Sequence, residues 1–343
     1  MDKLTLRWRA LIDDNAHCLA WSPDGLTLAV ADINGPITLF SSAGEKQTTL
    51  PGHAFGTMDI CWQPAANSVN TPLLASAGQD GKIRLWNTSA PEPVAVMAGG
   101  DAWVEHLAWS PAGDVLASSA GRKIRMWDAA GTMLQEYIHP RSTVSALGWR
   151  PAQAALPPTL AVAGYGGLNL YSPAQPNCID ENQWKGSSLT LSWSPNGNFI
   201  ATGDQDSTIH FWMAHTRQNL QMWGYPTKVL QLAWDSSSRY LATGGSANVV
   251  IWDCSGKGPE GRKPLTFATQ AGLISALAFQ PGRLILASGD KDGATLLWRI
   301  GGFSKKPLAE AMLDEPISQV VWSPDGKLLA VSTEAGDVAV FGV

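Results

Sequence analysis

The sequence predicts an all-β chain in which one small sheet recurs along its length, and three observations carry that prediction. An aromatic residue ends a short apolar strand eight times, at Trp21, Trp62, Trp109, Trp149, Trp193, Trp234, Phe279 and Trp322, with separations of 40 to 47 residues. Six of these anchors read Trp-x-Pro, Phe279-Gln280-Pro281 is a variant, and Trp234-Asp235-Ser236 lacks the proline. A second aromatic closes a later strand in every repeat. A strand-rich period of about 40–45 residues implies a β-propeller with one four-stranded blade per repeat. The expectation is a single eight-bladed domain spanning residues 1–343.

The second repeat shows how each strand is recognised. Met58 to Trp62 is a first strand, stopped at Gln63-Pro64 because proline donates no backbone hydrogen bond. Leu73 to Gly78 is a second strand, and Gln79-Asp80-Gly81 is a tight turn in which glycine accepts positive φ cheaply. Lys82-Ile83-Arg84-Leu85-Trp86 alternates polar and apolar residues as a half-buried third strand should, and Pro93 to Met97 supplies a fourth. Third strands recur with terminal aromatics Phe40, Trp86, Trp127, Tyr171, Trp212, Trp252, Trp298 and Phe341. Twelve of the sixteen tryptophans thus stand at repeat anchors, where packing between blades is their expected work. The chain ends just after the eighth third strand, so residues 3–10 are expected to serve as the outer strand of blade 8.

Bulk properties narrow the function. Hydrophobic residues make up 45% and charged residues 15%, so core material is ample and extensive disorder is not expected. A net charge of −5 offers nucleic acid no global attraction. No apolar run is long enough to insert into a membrane, and the first residues lack the apolar stretch of a secretory leader. Cys18, Cys61, Cys178 and Cys254 show no paired spacing, which favours free thiols and a cytoplasmic location.

These residues resemble the WD-repeat family along the whole chain. Its pattern places Gly-His before the first strand, an Asp in the turn between second and third strands, and Trp-Asp at the end. Gly52-His53, Ser76, Asp80 and Trp86 match that family's structural tetrad in full, whereas Asp206 with Trp212 and Asp292 with Trp298 match in part. Trp127-Asp128 and Trp252-Asp253 keep the terminal dipeptide, and most other repeats lack the His, the Asp or both. The resemblance implies a rigid platform that binds other proteins or peptides at its loops.

Strand alternation assigns each loop to a face. Links from fourth to first and from second to third strands share one face, here the top; the remaining links share the bottom. The top-face candidates for partner binding are Phe55, Trp103, Glu105, Arg141, Tyr165, Lys228 and Lys291, since aromatic residues and arginine dominate binding hot spots. A basic bottom sector is expected from Lys257, Arg262, Lys263, Arg283, Lys305 and Lys306, with Arg239, Arg299 and Lys327 beside them. Such a sector suits an acidic partner segment, with RNA or anionic lipid as lesser alternatives.

Catalytic signatures are missing. There is no nucleophile elbow and no phosphate loop, and Gly164-Tyr165-Gly166-Gly167 reads as a hairpin turn. The six histidines have no metal-ligand spacing, so neither metal nor cofactor is expected. The reading is a non-catalytic protein-interaction scaffold. The alternative is a recognition module for one modified or acidic peptide at the top entrance. An enzyme or metal-handling protein using His17, Cys18, Glu105 or His106 in the channel is the weakest reading.

Overall fold

The computed structural model describes residues 2–65, 71–153, 156–216, 218–256, 258–268, 270–302 and 304–343. Every regular element among them is a β-strand, and no helix is long and apolar enough to cross a membrane. Two compact units are present, residues 17–191 and residues 1–16 with 192–343.

In the first unit, Ala16–Trp21, Thr27–Asp32, Ile37–Ser41 and Lys46–Leu50 form an antiparallel meander. Thr57–Trp62, Leu74–Gly78, Lys82–Trp86 and Pro93–Ala98 form the next, and Val104–Trp109, Val115–Ala120, Lys123–Asp128 and Met133–Ile138 the third. In the second unit, Leu232–Trp234, Tyr240–Thr243, Val249–Asp253 and Leu265–Phe267 form one four-stranded sheet. Ile274–Phe279, Ile285–Asp290, Ala294–Arg299 and Ala309–Met312 form another, and Asp2–Lys3 adds to its edge in parallel, opposite Ala309 and Glu310. Ile317–Trp322, Leu328–Thr333 and Asp337–Gly342 take Thr5–Leu11 as their outer strand, with Thr5 opposite Gly342 and Leu11 opposite Asp337.

Among the described residues hydrogen bonding gives seven sheets where eight separate ones were expected. The difference lies in a six-stranded sheet: Ala146–Trp149, Leu160–Tyr171, Asp180–Trp193, Phe199–Asp204, Ile209–Met213 and Asn219–Met222. Leu160–Tyr171 pairs with Ala146–Trp149 through residues 160–163 and with Asp180–Trp193 through residues 165–170. Its register shifts between Tyr165 and Gly167, where Gly166 and Gly167 have φ of 100° and 107°. Those two glycines bend the strand without ending it, so the expected hairpin turn is instead a bulge within a continuous strand.

The two classes of anchor tryptophan do different work. First-strand indoles donate to the preceding sheet: Trp62 to the Ala20 carbonyl at 3.0 Å, Trp149 to Ala108 at 2.9 Å and Trp322 to Ala278 at 3.0 Å. In each case the acceptor lies one residue before the previous anchor. Four third-strand indoles, all but that of Trp252, instead donate within their own sheet, to a hydroxyl on the second strand. Trp127 reaches Ser118 at 2.9 Å, Trp212 reaches Thr202 at 3.2 Å and Trp298 reaches Ser288 at 2.8 Å. The second strands are rich in Ala, Ser, Gly and Thr, as in Leu74–Gly78 and Ile285–Asp290, and are almost wholly buried. Small side chains there leave the volume that the bulky anchors fill, as close packing requires.

The Trp-Ser-Pro turns are fixed by the serine as well as by the proline. The Ser22 hydroxyl donates to Asp24 and accepts the Thr27 N–H at 2.9 Å. Ser323 repeats this arrangement with Asp325 and the Leu328 N–H.

Candidate functional site

The tetrad is complete in the second sheet. His53 Nδ1 lies 2.8 Å from Asp80 Oδ1, its Nε2 lies 2.7 Å from Ser76 Oγ, and the Trp86 indole donates to the same hydroxyl at 2.9 Å. Arg84 closes the group by donating to Asp80 Oδ2 at 2.9 Å. Gly78 makes the approach possible, since a Cβ there would lie 2.3 Å from the His53 side chain. Burial holds the His53 imidazole below its ordinary pKa, with the Arg84 charge acting in the same direction against the Asp80 hydrogen bond. Burial pushes the Asp80 carboxyl up, but the bonds and charges of His53 and Arg84 outweigh this and hold it below the carboxylate range.

The linkage has a definite sign. A histidine depressed in the folded state is protonated more readily when unfolded, so its stabilisation is present above about pH 6.5 and fades below it. Asp80 contributes stability that is lost only as pH falls below about 4. His106, His139 and His210 are also depressed by burial. These histidines lower the midpoint of thermal unfolding between about pH 7.5 and pH 5.5, so acidification should cost the parent more than it costs His53→Gln. Equal slopes for the two proteins would remove His53 from this account.

Sheets without the histidine keep the indole–hydroxyl bond by other means. Tyr225 takes the place of the histidine beside Trp252, accepting its N–H at 2.7 Å and bonding Thr243 at 2.8 Å. Gln270 does so beside Trp298, accepting from Ser288 Oγ at 2.8 Å. Both stand nine residues before their first-strand anchors, Trp234 and Phe279, the same offset that His53 keeps to Trp62, so the repeat register marks the positions although the residue types differ.

Three top-face aromatic residues stand out of the first unit. Phe55 is 82% exposed and has φ of 68°, a left-handed backbone for a bulky non-glycine residue. Its loop is tied down on both sides, with His53 N–H donating to the Gly35 carbonyl and Gln79 N–H to that of Gly56. Trp103 is 52% exposed and Tyr165 is 50% exposed. Arg141 lies against Gly166, the residue after Tyr165: a Cβ on Gly166 would lie 2.5 Å from Arg141 Cδ, and the Tyr165 N–H donates to Ser142 Oγ at 2.8 Å. None of these three rings stacks on another among the described residues.

The charged candidates divide differently from their sequence grouping. Glu105 lies within Val104–Trp109 and is half-buried, so it is not a loop residue, and burial raises its carboxyl above the usual range. In the second unit Lys228 is exposed, whereas Lys291 is spent in an ion pair with Glu334. Lys257 lies outside the described residues. Arg262 and Arg239 both grip Asp253, at 2.8 and 3.1 Å, and Lys327 pairs with Asp325 at 3.0 Å. Lys263, Arg283, Lys305 and Lys306 are exposed with no carboxylate partner among the described residues.

Two features were missed in the sequence. Trp223, which follows Asn219–Met222, is 73% exposed, the largest value for any described tryptophan. Its standing outside the anchor series is the signal that could have found it. Asp59 sits among the first strands of the first unit, accepting the Leu107 N–H at 2.8 Å, and burial pushes its carboxyl up to about 7. Burial, with Asp59 adding to it, drives the Cys18 and Cys61 thiols well above their ordinary values, so both stay protonated and poorly nucleophilic. Among the described residues no group of three or more His, Cys, Asp or Glu could hold a metal ion, and all four cysteines are free.

Comparison with known proteins agrees with this architecture. The family model for the WD domain, G-beta repeat, matches residues 44–87, 91–128, 182–213 and 218–253. "Cell division cycle 20.1, cofactor of APC complex" of Arabidopsis thaliana is 26% identical over 316 residues, covering 88% of this chain and 58% of that protein. "Protein HIR1" of Mycosarcoma maydis is 24% identical over 183 residues, or 46% of this chain and 18% of that one. The chain thus spans little more than half the length of the first of these relatives. The crystal structure of the computationally designed Ika8 protein superposes with a TM-score of 0.80 at 17% identity, covering 99% of this chain and 100% of that one. The fold is an all-β propeller with four-stranded blades.

Proposed function

The chain is a WD-repeat protein, and from that premise we propose that it is a non-catalytic scaffold that captures partner proteins at exposed loops. One observation carries the reading: Phe55 is both exposed and held at positive φ. An exposed phenyl ring gains nothing from burial, and the left-handed backbone costs a residue with a Cβ about 1–2 kcal/mol. Two costs at one position, in a loop held by its backbone bonds, suit a preformed anchor for a partner. Trp103, Tyr165 and Arg141 extend the same chemistry within the unit of residues 17–191. A relative described as a cofactor of a complex supports the same class of work.

Three finer points belong to this reading. The six-stranded sheet contains two first-strand anchors, Trp149 and Trp193, and two third-strand aromatics, Tyr171 and Trp212. That is the inventory of two repeats, which supports eight blades in one domain. Four free cysteines suit a reducing, cytoplasmic setting. Recognition of a modified cation by an aromatic cage is less favoured, since the three rings are not paired with one another.

Phe55→Gly separates function from stability. It relieves the strained φ and removes no buried contact, so the unfolding free energy should change by no more than about 1 kcal/mol. Partners recovered by affinity capture and mass spectrometry should be lost from this variant and from Trp103→Ala. An unchanged partner set in both would overturn the proposal.

A further inference from the structure

A second interaction surface lies at the opposite ends of the strands, within the unit of residues 1–16 and 192–343. The turns joining first to second strands there are linked into a row. Asn196 N–H donates to Ser238 Oγ at 2.9 Å, Gly282 N–H to Ser236 Oγ at 2.9 Å, and Gln280 Nε2 to the Gly326 carbonyl at 2.7 Å. Four consecutive turns are thereby held together by bonds between one turn and the next. Three of them carry a cation at nearly the same place: Arg239 and Lys327 stand five residues after their anchors, and Arg283 stands four after Phe279. The positions five residues after Trp21 and Trp109 in the other unit are Leu26 and Asp114.

Three carboxylates near this row are already occupied, and Glu260 lies exposed beside Asn198. Asp253 holds Arg239 and Arg262, Asp325 holds Lys327, and Asp235 is buried, accepting the Ser237 and Tyr240 N–H groups. Arg283 is left exposed without a carboxylate partner among the described residues. Arg299 stands at the same end of its sheet, because it pairs with Ile285 while Ile300 N–H donates to the Leu284 carbonyl at 2.9 Å. Lys305 and Lys306 follow in the same link and are likewise exposed and unpaired among the described residues. A chain with a net charge of −5 therefore presents a local surplus of cations on a rigid row.

We infer that this row docks an extended acidic segment of a partner protein. The inference rests on the scaffold reading and assigns that scaffold a second, electrostatic surface. Acidic side chains complement the unpaired cations and leave the existing ion pairs in place. A protein segment fits better than nucleic acid, because Asp253 and Asp325 interrupt the positive charge that a continuous phosphate backbone would require. Packed sheets repeat at about 10 Å and an extended chain advances about 3.3 Å per residue, so an acidic residue at every third position matches one turn per sheet.

The test uses a fluorescent synthetic peptide with glutamate at every third position among serine and glycine, and its glutamine counterpart. Fluorescence anisotropy at low salt should show saturable one-to-one binding of the glutamate peptide alone, weakening steeply as salt rises. Arg283→Glu with Lys305→Glu and Lys306→Glu should lower its affinity by at least about tenfold. The milder glutamine triple variant should also weaken it, while the unfolding midpoint stays unchanged. Equal binding of both peptides, or unaltered affinity in both triple variants, overturns the inference. So does a short single-stranded RNA that binds more tightly than the peptide and is lost with the same variants. Phe55→Gly must retain peptide binding. A failed peptide with Phe55-dependent capture intact removes only the acidic dock, and the converse result removes only the aromatic face.

Discussion

Replacing Trp86 with alanine is expected to lower the midpoint of thermal unfolding by about 10 °C, the largest effect of any single substitution considered. Trp86 is fully buried among Ile37, Leu39, Leu74 and the other members of its core cluster. Truncating a buried tryptophan costs about 3–5 kcal/mol through lost contact and residual cavity, and each kcal/mol moves the midpoint of a domain this size by about 2–4 °C. The hydrogen-bond chain adds to the loss, because Ser76 then retains His53 but loses its indole donor. Trp86→Phe should fall between the two, keeping most of the area while forfeiting a bond worth about 1–3 kcal/mol when its partner stays buried. Trp103→Ala, at an exposed ring, should leave the midpoint nearly unmoved. Calorimetry on these variants decides the matter: an alanine variant within about 2 °C of the parent would show that the tetrad is not a centre of stability.

Deleting residues 1–11 is expected to abolish soluble monomeric protein. Thr5–Leu11 pairs along the whole of Asp337–Gly342, and Arg9 adds a two-pronged bond to Asp337, both distances being 2.8 Å. Asp2 and Lys3 also pair with Ala309 and Glu310, and Leu4 N–H donates to the Glu310 carbonyl at 2.8 Å. Without these residues an apolar strand, Val338-Ala339-Val340-Phe341, presents a free edge that a second copy can extend. The side-chain ion pair is not the cause. Arg9 remains partly exposed, so Arg9→Ala should cost less than about 1 kcal/mol and leave the protein monomeric. Size-exclusion chromatography separates these outcomes; a truncated protein eluting as a monomer with an unchanged midpoint would remove the strand's stabilising role.

Much of the architecture was legible because the repeat writes it into residue types. Proline after an aromatic anchor ends a first strand, and small residues mark each buried second strand. The His53, Ser76, Asp80 and Trp86 tetrad could be named in advance because its members keep fixed offsets. What could not be read depends on neighbours brought in by folding. Tyr225 and Gln270 stand at the histidine's offset, nine residues before their anchors, but their bonds to Trp252 and Ser288 follow from side-chain geometry and not from residue type. The merging of strands around Gly166 depends on backbone pairing, which residue pattern does not encode. Among the site residues, exposure of Phe55, Trp103 and Tyr165 is now defined, and the strain at Phe55 was invisible in the sequence. The basic residues could be counted, but only geometry separates Arg262, held by Asp253, from the unpaired Arg283.

Arg9 and Asp337 are 328 residues apart in sequence yet directly bonded. During synthesis the unit of residues 17–191 emerges as one contiguous stretch and can pack early. The strand Thr5–Leu11 leaves the ribosome before that unit, and its partner Asp337–Gly342 follows after it. For that interval its backbone amides and carbonyls are unsatisfied, as are those of Asp337–Gly342 once it appears. Contacts this remote form slowly, since the loop entropy must be met before pairing repays it. Nascent molecules crowded on one message would be most vulnerable to exchanging this strand with one another, and slower translation of the final sheet would lengthen that exposure.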